Sequence, residues 1–179
     1  GGAGVVVARE GENGNGLDFK RMFSVDNSNE NLIKSFYEDD RKNVWIGANT
    51  GLYKKMADDK LETFSLPNIN TIGQDTEGNI WAGTDKQGLY KLKRKLSNGG
   101  KATYEIEKIE LKIKNHFSNG IQSIHCRKNG DVYIGTKEGC IYFFDKANNS
   151  ITDISGQYGI TDQKILDIVE DNQGNLWIS

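Results

Sequence analysis

Four segments of the chain repeat one pattern of apolar and polar positions. In each, two apolar residues stand three positions apart, a short polar stretch follows, and an apolar run then surrounds an aromatic residue. Self-similarity at a period of about 20–50 residues is typical of repeat proteins. The aromatic positions are spaced by 36, 52 and 44 residues and are Trp45, Trp81, Tyr133 and Trp177.

The first apolar stretch of each repeat predicts a strand that is covered on both faces. Ile33 and Phe36 are three positions apart. Because side chains alternate along a strand, we expect these two columns to point to opposite faces. A sheet that is stacked between two neighbours has both faces covered. The same two columns contain Ile69 and Ile72, Ile121 and Ile124, and Ile165 and Ile168.

A tight turn follows this strand, and a second strand carries the aromatic residue. The stretch contains Asp and Gly. Asp accepts hydrogen bonds from the backbone donors of a turn and Gly adopts a positive φ, so this pair of residues predicts a turn. We therefore assign Asp39 to the turn and not to acid–base chemistry. The Trp residues are expected to pack between sheets. A glycine two positions after three of the four aromatic residues predicts close approach of a neighbouring chain, and these glycines are Gly47, Gly83 and Gly135.

Each repeat reads as four short antiparallel strands in about 40–45 residues, which is the signature of a β-propeller blade. An Asn98-Gly99 pair predicts a long outer hairpin with Lys and Glu on its solvent side. The predicted fold is all-β, with about four blades in a single region, 1–179. We favour a segment of a larger propeller, and a small closed propeller is the alternative. The predicted units are a partial blade at 1–25, blades at 31–66, 67–114 and 119–154, and the start of a further blade at 163–179.

Composition excludes several classes of function. The formal net charge is −2, so no basic excess exists to neutralise the phosphates of a nucleic acid. The longest aliphatic run, Val5 to Ala8, is far shorter than a membrane span. Cys126 and Cys140 fit neither a zinc signature nor a CxxC redox motif. Known catalytic and phosphate-binding motifs do not occur, so we expect no catalytic residue, no metal and no cofactor.

The pattern Ile-x-x-Ile-x-x-Asp-x-x-Gly-Asn-Leu-Trp-Ile-Gly-Thr-x-x-Gly-Leu resembles the two-component regulator propeller repeat. The chain departs from it where Arg127 replaces the turn Asp, Tyr133 replaces Trp, Lys42 replaces Gly and Cys140 replaces Leu. The resemblance covers residues 31–56, 67–94, 119–144 and 163–179, with a poor copy at 1–22.

This resemblance implies a seven-bladed, periplasmic sensor of a hybrid two-component histidine kinase/response regulator. The implied ligand is an oligosaccharide, and binding would bias an attached kinase, with a homodimer as the arrangement that responds. Contact with a membrane would come only through segments that flank the repeats. The segment itself would not be an enzyme. Two alternatives are a streptogramin-lyase-like enzyme propeller, which would use His116 or His125, and a protein-interaction scaffold.

A ligand site is expected where the repeats differ, in the first strands and the loops that lead into them. Amide side chains can bond sugar hydroxyls, and aromatic rings can cover the apolar face of a sugar. The alternative is that these side chains are ordinary loop and core polar residues, and that His125 is a hydrogen-bonded interior histidine. The predicted ligand-binding residues are Tyr37, Asn70, Gln122, His125 and Tyr158.

Overall fold

The computed structural model describes residues 4–10, 17–24, 32–111, 119–160 and 164–179. Over these ranges the protein is all-β, apart from one short 3₁₀ helix, Ser155–Tyr158. The strands form three four-stranded antiparallel sheets and two hairpins. None of the helical structure in these ranges is long and apolar enough to cross a membrane.

Each four-stranded sheet is one propeller blade, with its strands paired in chain order. Blade I contains β3 (Ile33–Glu38), β4 (Val44–Ala48), β5 (Gly51–Lys55) and β6 (Leu61–Phe64). Blade II contains β7 (Ile69–Gln74), β8 (Ile80–Thr84), β9 (Leu89–Leu96) and β10 (Ala102–Ile109). Blade III contains β11 (Ile121–Cys126), β12 (Val132–Thr136), β13 (Ile141–Asp145) and β14 (Ser150–Asp153).

Two hairpins flank the three blades. The first hairpin pairs β1 (Gly4–Glu10) with β2 (Leu17–Ser24), and the last hairpin pairs β15 (Ile168–Glu170) with β16 (Leu176–Ile178). Val5 of the first hairpin is buried against Ile46 and Tyr53 of blade I. Within the described ranges the two hairpins do not pair with each other, so these residues form no closed ring.

A carboxylate organises the turn after the first strand. Asp39 accepts hydrogen bonds from the backbone N–H of Arg41 and of Asn43, each at 2.9 Å. Its other oxygen accepts a bond from Nε1 of the buried Trp45, also at 2.9 Å. The same indole bond, at 3.0 Å, joins Trp81 to Asp75 and Trp177 to Asp171. This confirms the turn role and explains why Asp and Trp recur six positions apart.

The first strands contain a β-bulge that the sequence pattern did not reveal. In blade I, Ile33 pairs with Ala48 and Phe36 pairs with Ile46, with a register shift between Ile33 and Ser35. Ala48 and Ile46 lie two positions apart on β4, so Ile33 and Phe36 share one face. The expectation of opposite faces is wrong, because the extra residue of the bulge resets the alternation. Equivalent register shifts occur in β7 and β11.

Neighbouring blades meet where a glycine faces an isoleucine. A Cβ added to Gly83 would lie 2.5 Å from Cγ2 of Ile121, and one added to Gly47 would lie 2.7 Å from Cγ2 of Ile69. Real Cβ atoms are not found at such distances from a neighbour. Gly135 makes the same approach to Ile165. The predicted role of these glycines is confirmed, and each isoleucine is buried against the preceding blade.

The long outer hairpin of blade II lies against blade I. Its Lys93–Glu107 and Lys95–Glu105 pairs, at 2.8 and 2.6 Å, connect β9 with β10 at partly exposed positions, as predicted. Tyr104 on β10 instead packs across the interface against Trp45, with ring centroids 5.0 Å apart and planes at 88°. The hairpin therefore also covers the Trp of the preceding blade.

The substitution Gly83→Ala tests the contact between blades. The new methyl group would overlap Ile121, and overpacking of this kind costs about 1–3 kcal/mol. We expect a lower urea midpoint with an unchanged slope. Gly99→Ala is the control, because a Cβ at Gly99 meets nothing within 4 Å. Equal midpoints for Gly83→Ala and the wild type would refute the contact.

The substitution Asp75→Asn tests the turn carboxylate. Burial alone would raise the pKa of Asp75, but hydrogen bonds from Asn79 and Trp81 and the charge of Lys91 lower it. The ionised group therefore stabilises the fold above its unfolded pKa, and this contribution is lost as the pH falls through the folded value. We expect a loss of about 1–3 kcal/mol near neutral pH.

The measurement is urea unfolding of both proteins between about pH 7 and pH 3. The difference between wild type and Asp75→Asn should shrink towards acid pH, because protonation removes the same charge from the wild type. Asp58→Asn is the control at an exposed carboxylate. A difference that stays constant with pH would contradict the role of the Asp75 charge.

Candidate functional site

The blades have two ends, and the predicted ligand-binding residues divide between them. We call the end where the first strands begin the upper face, and the end that carries the Asp–Gly turns the lower face. Asn70 and Gln122 are the second residues of β7 and β11, at the upper face. Tyr37 and His125 stand next to last in β3 and β11, towards the lower face. The structure therefore does not bring the five residues into one site.

The upper-face residues occupy the β-bulges. Lys34, Asn70 and Gln122 are the extra residues at the register shifts of β3, β7 and β11. A bulge leaves its extra residue outside the regular pairing and re-aims its side chain. These positions are at least partly exposed, whereas the isoleucine before Asn70 or Gln122 is fully buried. The buried isoleucine thus fixes the backbone of the bulge, while the side chain at the bulge position differs from blade to blade.

A polar network begins at Lys34 and crosses from blade I to blade II. The Lys34 ammonium donates to Oδ1 of Asn68 at 2.5 Å and to Oδ1 of Asn70 at 3.0 Å. The backbone carbonyl of Asn68 in turn accepts a bond from the N–H of Asp85 at 2.9 Å. The loop before the first strand of blade II is thereby connected to the loop after its second strand.

The network continues from blade II to blade III. Nδ2 of Asn70 donates to the carbonyl oxygen of Ile121 at 3.1 Å and to Oδ1 of Asp85 at 3.4 Å. The same Asp85 oxygen forms an ion pair with Lys137 of blade III. The hydrogen bond from Lys137 is the main cause that lowers the pKa of Asp85, so this carboxylate is ionised at neutral pH. Three blades are thus joined by side chains at one face.

Two further residues of the prediction lie at the upper face. The Gln122 amide is partly exposed and makes no side-chain hydrogen bond within the described ranges. Tyr158 ends the 3₁₀ helix and is 69% exposed. Oγ of Ser155 accepts a bond from the N–H of Ile141 at 2.8 Å, which holds the start of this helix beside the first residue of β13.

Tyr37 belongs to the interface between blades. Its ring is partly buried against the cluster that contains Trp45 and Ile72. Burial is the main cause that raises the pKa of its hydroxyl, and a backbone hydrogen bond from Gln74 opposes this change. These contacts favour a packing role for Tyr37 over a ligand contact.

His125 lies in a cleft on the lower face, between the turns of blade III and the last hairpin. The cleft has a volume of about 540 Å³ and is also lined by Arg127, Asn129, Glu170 and Gln173. Nε2 of His125 is 3.2 Å from Oε2 of Glu170. Arg127 donates to Oε1 of Glu170 at 3.0 and 2.5 Å. The Arg127 bonds, followed by the contact with His125, lower the pKa of Glu170.

Sequence reasoning missed Asn68, Asp85 and Lys137. Asp85 and Lys137 each follow a Gly-Thr pair that ends a second strand, Gly83-Thr84 and Gly135-Thr136. A signal for them was therefore present, since the residue after each repeated Gly-Thr pair differs between repeats. His116 lies outside the described residues. Within the described ranges, no three His, Cys, Asp or Glu side chains are grouped closely enough to hold a metal ion.

Comparison with known proteins supports the propeller interpretation. The sequence profile described as "Two component regulator propeller" matches residues 63–86 and 159–179. No curated protein sequence matches the chain.

Solved structures share the fold at low sequence identity. The extracellular domain of the hybrid two-component system BT4673 from B. thetaiotaomicron is 22% identical with a TM-score of 0.67, and the match covers 90% of this chain and 22% of that chain. Virginiamycin B lyase from Staphylococcus aureus is 13% identical with a TM-score of 0.69, covering 97% of this chain and 55% of that chain. The WD40 propeller domain of Doa1 is 13% identical with a TM-score of 0.57, and the match covers 82% of this chain and 47% of that chain.

This chain thus spans about a fifth of the BT4673 domain and about half of the lyase. The TM-scores of 0.57 to 0.69 show the propeller architecture, and the profile identifies the repeat in the two stretches that it matches. This chain has the β-propeller fold, and its residues 63–86 and 159–179 match the two-component regulator propeller repeat.

Proposed function

We propose that this chain is part of the ligand-sensing propeller of a hybrid two-component regulator, and that it lies outside the cytoplasm. The support is the repeat family together with the shared fold of an extracellular domain from such a system. The proposed ligand is an oligosaccharide, and the proposed response is a signal to an attached kinase.

The polar network of the upper face is the observation that carries this proposal. It presents amide, carboxylate and ammonium groups side by side, on Asn70, Asp85 and Lys137. Sugar hydroxyls both donate and accept hydrogen bonds, so a mixed set of donors and acceptors suits them. Lys34 is exposed, and Asn70, Gln122 and Asp85 are partly exposed, which leaves polar atoms within reach of a ligand.

A route from binding to signalling follows from the span of the network. Its members come from blades I, II and III, so a ligand that bonds several of them favours one mutual arrangement of these blades. A ligand shifts an equilibrium only by its difference in affinity for the two states. We propose that the two states are arrangements of a symmetric homodimer, and that the favoured one changes the activity of the kinase.

A second candidate is an enzyme propeller, and the lower-face cleft is the observation that favours it. His125 and Glu170 lie 3.2 Å apart in an open cavity, and an imidazole beside a carboxylate is a pair of groups that acid–base chemistry uses. However, Glu170 is also bonded by the guanidinium of Arg127, which keeps it ionised and connects blade III to the last hairpin. This arrangement suits structural linkage better than proton transfer.

Alanine variants of the upper face test the sensor proposal by calorimetric titration with an oligosaccharide panel. Gln122→Ala removes an amide that has no other side-chain hydrogen bond within the described ranges. Asn70→Ala removes two donors and one acceptor. We expect each variant to weaken binding about tenfold, equivalent to about 1.4 kcal/mol.

Asn148→Ala, in the turn between β13 and β14, is the control and should bind as the wild type does. Failure of every oligosaccharide to bind the wild type would refute the proposal, and so would unchanged affinity in both Asn70→Ala and Gln122→Ala.

The variant His125→Ala separates the sensor from the enzyme. A sensor with its ligand at the upper face should keep its oligosaccharide affinity within about twofold, while its stability falls because the contact with Glu170 is lost. An enzyme would instead lose turnover of a bound oligosaccharide, followed by chromatography of the products. Turnover by the wild type that disappears in His125→Ala would overturn the sensor assignment.

A further inference from the structure

The charges of the upper-face network do not balance. Asp85 is the carboxylate of the network, and two ammonium groups interact with its charge. Lys137 forms an ion pair with it, and the charge of Lys34 also lowers the pKa of Asp85. One negative and two positive groups leave one positive charge, in a chain whose formal net charge is −2.

The network also has more hydrogen-bond donors than acceptors, so its hydrogen bonding favours an anion as its charge does. An ammonium group has three donors and no acceptor. Within the described ranges Lys34 uses two donors, on Asn68 and Asn70, and Lys137 uses one, on Asp85. Both amide hydrogens of Asn70 are also used, on Asp85 and Ile121. The unused hydrogen-bonding groups of the network are mainly donors. A ligand group that fits the network therefore has to accept hydrogen bonds.

The partly buried position of the network strengthens the effect of its unbalanced positive charge on a ligand. The side chains of Lys137 and Asp85 are only 30% and 18% exposed, so water and salt reduce their interactions less than they would at an open surface. Lys34 remains exposed and provides access from solvent. A carboxylate is an acceptor without donors when ionised, and it carries the one negative charge that is missing.

We infer that the upper face binds the carboxylate of a uronic acid residue between Lys34 and Lys137, so that the ligand is an acidic oligosaccharide. This inference rests on the proposed sensor function and specifies the class of its ligand. Asn70 and Gln122 then contact the hydroxyls of the same sugar or of its neighbour. Asp85 holds Lys137 in place, Asn68 and Asn70 hold Lys34, and the charge of Asp85 limits how tightly an anion binds.

The test uses calorimetric titration of the 179-residue protein with a panel of uronate oligosaccharides. The same panel after chemical reduction of the carboxyl groups provides neutral counterparts with the same linkages. We expect the acidic form of the preferred member to bind at least tenfold more tightly than its reduced form. Equal affinities, or binding only to other neutral oligosaccharides, would overturn the inference and leave the sensor proposal standing. Absence of binding to this panel and to the panel that tests the sensor proposal would defeat both.

Three substitutions locate the effect. Lys34→Gln and Lys137→Gln should each weaken binding of the acidic form about tenfold and change that of the reduced form much less. Asp85→Asn should strengthen binding of the acidic form, because the two lysines lose their internal counter-ion. A purely structural network predicts the opposite result, since loss of Asp85 would then weaken binding of both forms.

Lys60→Gln, at an exposed lysine in the β5–β6 turn, controls for the general effect of removing a positive charge. Thermal melting of each variant verifies that it is folded at the titration temperature. Unchanged discrimination between acidic and reduced forms in Lys34→Gln and Lys137→Gln would overturn the inference. Weaker acid binding in a folded Asp85→Asn protein would do the same.

Discussion

The close approach of neighbouring blades depends on one contact, a glycine of a second strand against an isoleucine of the next first strand. Gly83 leaves no space for a Cβ beside Ile121, and Gly47 and Gly135 repeat this contact. Because the backbones come so near, the Trp two positions earlier can be covered by the adjacent blade, and Trp45 and Trp81 are fully buried. A side chain at the glycine would separate the sheets and expose both rings to water. The glycine column therefore sets the spacing on which the core between blades depends.

The buried Trp then requires a partner for its indole N–H, since an unpaired polar group in such a core is costly. Asp75 accepts that bond and the turn donors together, and Lys91 lies 4.6 Å from the centre of the Trp81 ring. At the three corresponding positions blade III has Arg127, Tyr133 and Phe143. There Tyr133 packs against Phe143 at 5.0 Å, and Arg127 reaches Glu170. Asp, Trp and Lys thus change together between blades, as expected of groups that satisfy one another.

Much of the fold could be predicted from the sequence, because turn, Trp and glycine columns each have a local physical cause. The β-bulge in the first strands could not be predicted. Every blade contains it, so an alignment of the repeats shows no gap at that position. Asn70 and Gln122 were predicted as site residues because their column differs between repeats. Asp85 and Lys137 were not predicted. Their proximity depends on how blades stack, and residues 52 positions apart give no local sign of contact. Tyr37 and His125 also vary between repeats, yet the structure places them towards the other face.

The same constraints explain where recognition can vary in a chain of this kind. First-strand isoleucines, second-strand glycines and turn carboxylates are committed to stacking, so changing them costs stability. The bulge residues and those after each Gly-Thr pair lie outside this stacked core, because their side chains project beyond the regular pairing. Lys34, Asn70, Asp85 and Lys137 all occupy such positions. A protein built this way can alter its ligand by substitution at the upper face while the apolar contacts between the blades stay unchanged.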